Sequence, residues 1–440
     1  MQVVRGKASV RRDSEPETVP SPPRLVAPVT VAEIELASPA TVKYVSIAEA
    51  DDGAVRQAVV LVRLNSRPLA TIVVDAPAGR VDTESCAAQA WAALAAAGSS
   101  PGPAEPPVAG ITPPAAPVPP ISVVIATRER TQSLARCLDS LARLDYPDYE
   151  VIVVDNAPVT GDTAQLVQQR NEPGVRYVRE DRRGLAAAHN RGLAAAEGTI
   201  VAFTDDDVIV DERWLKEIAS AFRAADNVAC VTGLIMAAEL QTPAQVMLET
   251  HGNFSKGFDQ RVMDLGAHRP ADPLFPFTAG KLGSGANMSF DRDKLRSVGG
   301  FDPAIGTGTV ARGGDDLAAF FTVIASGFGL VYQPTALVWH HHRRDVDSLA
   351  GQAYGYGVGL GAYLASSLCR HPASIGRALQ RAPAGLVYAF SSSSPRNAVA
   401  AHADWPRELT RLERKGLLLG PIAYGRSRWK TRQGPRLPKD

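Results

Sequence analysis

From residue 121 onward, short apolar runs alternate with stretches whose apolar positions recur at helical spacing. Ile121-Ser122-Val123-Val124-Ile125-Ala126 reads as a strand, and Leu134, Cys137, Leu138, Leu141 and Leu144 then mark one face of a helix. Glu150-Val151-Ile152-Val153-Val154-Asp155 predicts a second strand and Val175-Arg176-Tyr177-Val178 a short third. Residues 184–196 are helical in pattern, residues 200–204 form a fourth strand, and Trp214, Ile218 and Phe222 mark the next helix. Repeated strand–helix units of this kind imply a parallel sheet with helices on both faces. The rhythm fades over residues 233–282. Thr250-His251-Gly252-Asn253 and the Pro-rich stretch 270–277 read there as loops over the sheet edge, where binding residues usually lie. Leu282-Gly283-Ser284-Gly285-Ala286-Asn287 follows, and its small residues allow close backbone approach.

The flanks differ. Residues 1–27 are polar and Pro-rich, the composition of a disordered segment. Two β-rich runs, residues 59–64 and 69–74, flank Asn65-Ser66-Arg67-Pro68 and predict a hairpin, and an Ala-rich helix is expected over 84–97. Nine prolines in residues 101–120 make a semi-rigid linker. The expected division is a disordered 1–27, a β-rich accessory domain 28–98, a linker 99–120, an α/β domain 121–345 and a helical, basic tail 346–440. Residues 349–368 are apolar but too Gly-rich to read as a spanning helix. Residues 407–440 carry ten Lys/Arg against three Asp/Glu, with Leu417-Leu418-Leu419 and Trp429 interleaved. Such a tail can dock on an anionic leaflet or stay solvated.

Composition adds mainly exclusions. The 440 residues suffice for two or three domains, and a net charge of +1 leaves no global nucleic-acid footprint. The four cysteines fit neither a zinc spacing nor a disulfide framework, which suggests a reducing compartment. The first residues lack an apolar signal core, and no run of about 18 apolar residues occurs. The expected location is cytoplasmic, with peripheral association at the inner face of the membrane through the basic tail.

The chemistry concentrates where the fourth strand runs into Asp205-Asp206-Asp207. In open α/β sheets, ligands bind at the carboxyl edge of the strands. Two carboxylates ~4 Å apart repel by ~4 kcal/mol at an effective dielectric of 20. A divalent cation, Mn²⁺ or Mg²⁺, shared with a diphosphate is the simplest partner for Asp205 and Asp207. A solvated acidic turn is the plainer alternative. The central Asp206 points the other way if the triplet stays extended. No Gly-x-Gly-x-x-Gly follows the first strand, which argues against a dinucleotide-binding domain, and no Gly-Lys-Ser/Thr appears there.

The order of the pieces resembles family-2 glycosyltransferases over about residues 121–342. The quoted segments are Ala126-Thr127-Arg128-Glu129-Arg130, Val153-Val154-Asp155-Asn156, the run from Arg183-Gly184 to Asn190-Arg191-Gly192, Phe203-Thr204-Asp205-Asp206-Asp207, and Gly314-Asp315-Asp316-Leu317. The resemblance implies an α/β fold of GT-A type: Rossmann-like, with a mostly parallel central sheet and helices on both faces. A small N-terminal α+β domain would precede it and a helical tail would follow. It also implies that Thr127, Arg128, Glu129, Asp155, Arg183, Gly184, Asn190, Asp205 and Asp206 meet a nucleotide-diphosphate sugar, and that Gly285, Ala286 and Asn287 line the sugar pocket. Asp207 and Asp205 would hold the metal, with His340 of the run His340-His341-His342 as a third ligand. Asp316 would be the general base with Asp315 beside it. The family often carries Glu where Asp315 stands. No Gln-x-x-Arg-Trp is present, which favours transfer of a single sugar.

The resulting expectation is a metal-dependent, inverting transfer of a sugar to a hydroxyl-bearing acceptor: a glycan, a lipid-linked glycan or a small metabolite. Two alternatives stay open, an inactive nucleotide-sugar-binding module and a nucleotidyltransferase on a similar sheet.

Overall fold

The computed structural model describes residues 24–49, 55–98, 118–252, 254–391 and 405–433. The expected disordered N-terminus, up to residue 23, and residues 99–117 of the Pro-rich linker lie outside these. The N-terminal unit is a four-stranded sheet in the order β2-β1-β3-β4, from β1 (Thr30–Glu35), β2 (Thr41–Ser46), β3 (Val55–Leu64) and β4 (Arg67–Pro77), with helix α1 (Thr83–Ala96). β3 and β4 form the expected hairpin. Its turn is tighter than foreseen, because Asn65 and Ser66 alone adopt positive φ and Arg67 already pairs with Leu64. One face of this sheet packs Val60 and Val62 under Cys86, Ala90 and Leu94 of α1. The other face sets Val29, Val31 and Leu61 against Leu234, Met236, Leu337 and Trp339 of the main domain. Arg63 stands in that junction, 2.8 Å from both Glu33 and Asp211.

The main domain begins with β5 (Ile121–Thr127), α2 (Thr131–Leu141), β6 (Tyr149–Asn156), α3 (Asp162–Arg170), β7 (Val175–Glu180), α4 (Leu185–Ala195) and β8 (Ile200–Asp205). It continues through β9 (Val208–Val210), α5 (Trp214–Ala221), β10 (Val228–Ala237), α6 (Pro243–Gly252), β11 (Arg261–Met263), β12 (Asn287–Asp291), α7 (Arg292–Ser297), α8 (Asp315–Ala325) and β13 (Gly329–His340). The sheet runs β11-β13-β10-β12-β8-β5-β6-β7, with β9 pairing β13. β5, β6, β7 and β8 pair in parallel, as do β10 and β13, while β12 lies antiparallel between β8 and β10. Alternate side chains of β5 enter two cores. Ile121, Val123 and Ile125 meet Leu134, Leu138 and Leu141 of α2 and Trp214 of α5, whereas Val124 meets the α4 and α8 side. The mixed α/β fold with a parallel-rich central sheet is therefore as expected.

Within residues 233–282 the loop reading holds over 270–277, which run as turns, and fails at Thr250-His251-Gly252. β10 is buried at all ten positions, and Thr250, His251 and Gly252 end helix α6. In β10 the pair Thr232-Gly233 interrupts the apolar run and weakens its strand signal. Residues 349–368 are helical, as expected of the tail, and do not form a membrane-crossing helix. They lie in one continuous helix, α9 (Asp347–Arg370), followed by α10 (Ile375–Phe390) and α11 (Arg407–Gln433). Gly357 and Gly361 of α9 face Gly416 and Gly420 of α11 so closely that a Cβ at any of the four would collide with opposing backbone. The glycines that made the segment look broken let the two helices pack. Among the described residues, no helix is long and apolar enough to cross a membrane.

Candidate active site

The acids separated by more than a hundred positions open onto one cleft of about 1270 Å³ at the carboxyl edge of the sheet. Asp205, Asp206, Asp207, Asp315, Asp316 and His340 all line it. β8 delivers Asp205 beside Ala126 of β5, and the chain then turns sharply through Asp206 and Asp207 into β9. Val208 of β9 pairs with His340, and the Asp207 carbonyl accepts from the His341 N–H. That pairing brings the end of β13 to the triplet.

Asp205, Asp207 and His340 each place a ligand atom within 4.8 Å of the others. Asp207 Oδ1 and His340 Nδ1 have no hydrogen-bond partner, although Asp207 Oδ1 lies 3.2 Å from His340 Nε2. Two carboxylates and one imidazole suit Mn²⁺. Burial alone would raise the Asp207 pKa, but His340 and Arg130 override it and hold the carboxyl well below the usual range. Burial, with Asp207 nearby, raises that of Asp205. His340 is raised despite its burial, because the Asp207 carboxylate stands 3.2 Å from its Nε2. The other two imidazoles face elsewhere. His342 Nε2 is 2.8 Å from Glu249, and His341 lies 3.9 Å from Glu239.

The triplet does not stay extended, since Asp206 and Asp207 form the turn between β8 and β9. Asp206 accepts from the Thr127 hydroxyl at 2.7 Å and from Arg130 Nη1 at 2.6 Å. Burial is the main reason that its pKa is pushed up to about 7. Arg130 Nη2 also donates to Asp207 Oδ2 at 2.8 Å. Arg130 belongs to the first-strand segment, but its role there escapes a reading of the sequence. The available signal was that the triplet demands a cation and this loop supplies one.

Asp155 at the end of β6 is buried. Its Oδ2 accepts from the Tyr177 hydroxyl at 3.0 Å, its Oδ1 has no partner, and burial raises its pKa. Glu129 accepts from the Val159 and Thr160 N–H groups and the Thr160 hydroxyl, so it caps the β6–α3 loop. Arg128 donates to the Ala157 carbonyl at 3.2 Å and Arg183 is exposed at the cleft wall. Gly184 caps α4, and its N–H donates to the Asn156 side chain.

Asn190 and Asn287 depart from their expected places. The Asn190 side chain pairs with both backbone groups of Phe301, at 2.8 and 3.0 Å, and pins the turn after α7. Asn287 is fully buried and accepts from Trp214 Nε1 at 2.9 Å while donating to the Leu234 and Ala336 carbonyls. Every polar atom of its amide is thus engaged inside the sheet. Gly285 and Ala286 do line the cleft.

Asp315 and Asp316 open α8 behind Gly314, which caps the helix at φ +86° and whose hypothetical Cβ would strike the Gly359 carbonyl. Asp316 Oδ2 accepts from the Gly285 N–H at 2.9 Å and Oδ1 from the Leu317 N–H at 2.8 Å. Burial, reinforced by Asp315, pushes its pKa up to about 6. Asp315 is buried 3.4 Å from His189 Nδ1, a neighbour the sequence did not suggest. His189 itself sits against Phe203 and Phe301. Lys256 also reaches the cleft, and burial lowers its pKa to about 8.

The strand ends that carry Asp205 and Asp207, faced by Asp316 on α8, form the sheet edge where open α/β folds bind ligands. Residues 122–268 match the sequence model of glycosyl transferase family 2. The chain is 30% identical over 256 residues to the pre-mycofactocin glycosyltransferase of Mycobacterium tuberculosis, covering 57% of this chain and 48% of that protein. It is 21% identical over 257 residues to the glucosyl-dolichyl phosphate glucuronosyltransferase of Haloferax volcanii, covering 54% and 75%. The chain thus spans about half the length of the mycobacterial relative. Among solved structures it is similar to the mannosyltransferase PcManGT from Pyrobaculum calidifontis in complex with GDP-Man and Mn²⁺, with a TM-score of 0.42, 18% identity and coverage of 73% and 77%.

Proposed function

We propose that the protein is a divalent-metal-dependent, inverting glycosyltransferase that moves one sugar from a nucleotide-diphosphate sugar to a hydroxyl-bearing acceptor. The observation that carries this reading is the shared cleft, with Asp205, Asp207 and His340 at the strand ends and Asp316 on α8. Asp205, Asp207 and His340 would hold the ion, which supplies charge neutralisation at the diphosphate leaving group. The unpaired Asp155 Oδ1 suits a nucleobase N–H, since a buried acceptor without a partner costs about 1–3 kcal/mol.

Asp316 takes the acceptor's proton. The acceptor oxygen then forms its bond to the anomeric carbon on the face opposite the diphosphate. The bond from that carbon to the diphosphate oxygen breaks, and its electron pair leaves with the nucleotide. The Gly285 and Leu317 N–H groups keep the carboxylate oriented throughout. One base and one displacement invert the anomeric centre. Intact acids at all these positions favour catalysis over a binding module. The first-strand loop Ala126-Thr127-Arg128-Glu129-Arg130 lacks the glycines that a triphosphate cradle needs, which disfavours nucleotidyl transfer. Assaying nucleotide-sugar turnover with Mn²⁺ tests the reading. Asp316→Asn should lower transfer by about 10²–10⁴-fold while nucleotide binding persists. Wild-type turnover in that variant would remove Asp316 from the role of base.

A further inference from the structure

Helix α10 has no buried residue. It meets the body through the half-buried Ala378, Arg381, Gly385 and Tyr388, and turns Leu379, Leu386 and Val387 to solvent, each more than 60% exposed. α11 packs its glycine face on α9 and leaves a second face open. Along that open face Lys415, Leu418, Ile422, Arg426, Trp429 and Lys430 recur at helical spacing and are all exposed. Leu418, Ile422 and Trp429 are 66%, 56% and 62% exposed. Arg411 extends the stripe toward the start of the helix, where Glu408 is the one acid on it. The Arg414 guanidinium donates to the Phe390 carbonyl and ties the end of α10 to α11.

We propose that the open face of α11, with α10 beside it, docks on an anionic lipid bilayer. Cations and large apolar groups alternate along about four turns, so apolar side chains can enter the acyl boundary while Lys and Arg reach lipid phosphates. Trp429 suits the headgroup level, with an apolar body and one N–H donor. Charge disfavours a second copy as the occupant, because a two-fold contact would set this basic stripe against itself.

The same helices reach the functional cleft from their other sides. Tyr388 and Ala389 of α10 and Thr410, Glu413 and Leu417 of α11 line it together with Asp316. A docked molecule would present its acceptor end to the bilayer, and the acceptor class that fits is a hydroxyl-bearing headgroup on an apolar anchor. This last step rests on the glycosyl-transfer reading, whereas the docking itself does not.

Co-sedimentation of the full chain with vesicles, without any sugar donor, tests docking. Binding to phosphatidylcholine vesicles containing phosphatidylglycerol should weaken as salt rises, and binding to pure phosphatidylcholine should be far weaker. Lys415→Gln, Arg426→Gln and Lys430→Gln together should lower anionic-vesicle binding roughly hundredfold, at about fivefold per charge. Leu418→Ser, Ile422→Ser and Trp429→Ser together should abolish it. These side chains are exposed, and unchanged circular dichroism and melting would show that both triple variants fold. Equal binding to neutral vesicles, binding to neither, or a dimer dissolved by the same substitutions would overturn the proposal. Any of those results would leave transfer to a soluble acceptor untouched, so the two failures are distinguishable.

Discussion

Arg130 Nη2 donates to Asp207 Oδ2 at 2.8 Å, so part of the positive charge that the acid triplet requires is carried by the protein itself. The same guanidinium holds Asp206. Arg130→Gln should therefore destabilise the metal-free protein by about 1–3 kcal/mol, a figure kept below that of a fully buried pair because the Arg130 side chain is half exposed. The variant should also gain more melting temperature from Mn²⁺ than the wild type does. Denaturant titration and thermal melting check both, and an unchanged stability would mean that the pair is dispensable.

Transfer should fall on the acid side. Asp316 must be ionised to accept a proton, and burial with Asp315 beside it lifts its pKa to about 6. The rate should drop about tenfold per pH unit below that value. A pH profile of kcat/KM checks this, and a flat profile down to pH 4.5 would contradict it.

Stability of the metal-free protein should move the opposite way. Asp206, near 7, and Asp316, near 6, hold protons in the fold that they release at about 3.9 when unfolded. The folded state thus binds more protons across this window, and the contribution of these groups is lost as pH rises through 6 and 7. The loss between pH 5 and 8 should be on the order of a few kcal/mol. The raised His340 acts in the same direction. Asp207, held low, opposes it only in stronger acid. Urea unfolding at pH 5 and 8 with chelator present measures the difference, and greater stability at pH 8 would refute it.

The sequence displays the strand–helix alternation plainly because β5, β6 and β8 carry unbroken apolar runs between helices of regular spacing. β10 escaped because Thr232-Gly233 interrupts its apolar run. α9 was legible as part of a helical tail but not as one unbroken helix, because glycine signals a break unless a partner helix is known to need it. Site residues divide in a similar way. The triplet was legible because clustered carboxylates at a strand end repel, whereas Asp315 and Asp316 were marked only by the family resemblance, acids at a helix start being ordinary. The two asparagines were not legible, because an amide serves a ligand or a neighbouring backbone equally well, and only the fold shows Asn190 on Phe301 and Asn287 on Trp214. Arg130 was hidden for a related reason, as surface and inward arginines look alike in a sequence.

Asn287 supplies a direct check on that distinction. Asn287→Ala leaves Trp214 Nε1 and two buried carbonyls without partners, at about 1–3 kcal/mol for each group left unsatisfied. The variant should lose several kcal/mol in stability while KM for the donor stays near wild type. A raised KM with unchanged stability would return Asn287 to the sugar pocket.

The most direct measurement is a titration of Mn²⁺ into the protein in the presence of each common nucleotide-diphosphate sugar in turn, followed by electron paramagnetic resonance. The wild type should bind the ion tightly with at least one donor. Binding should be lost in Asp207→Ala and retained in Asp316→Asn. No affinity for the ion with any donor, or affinity unchanged by Asp207→Ala, would contradict this reading.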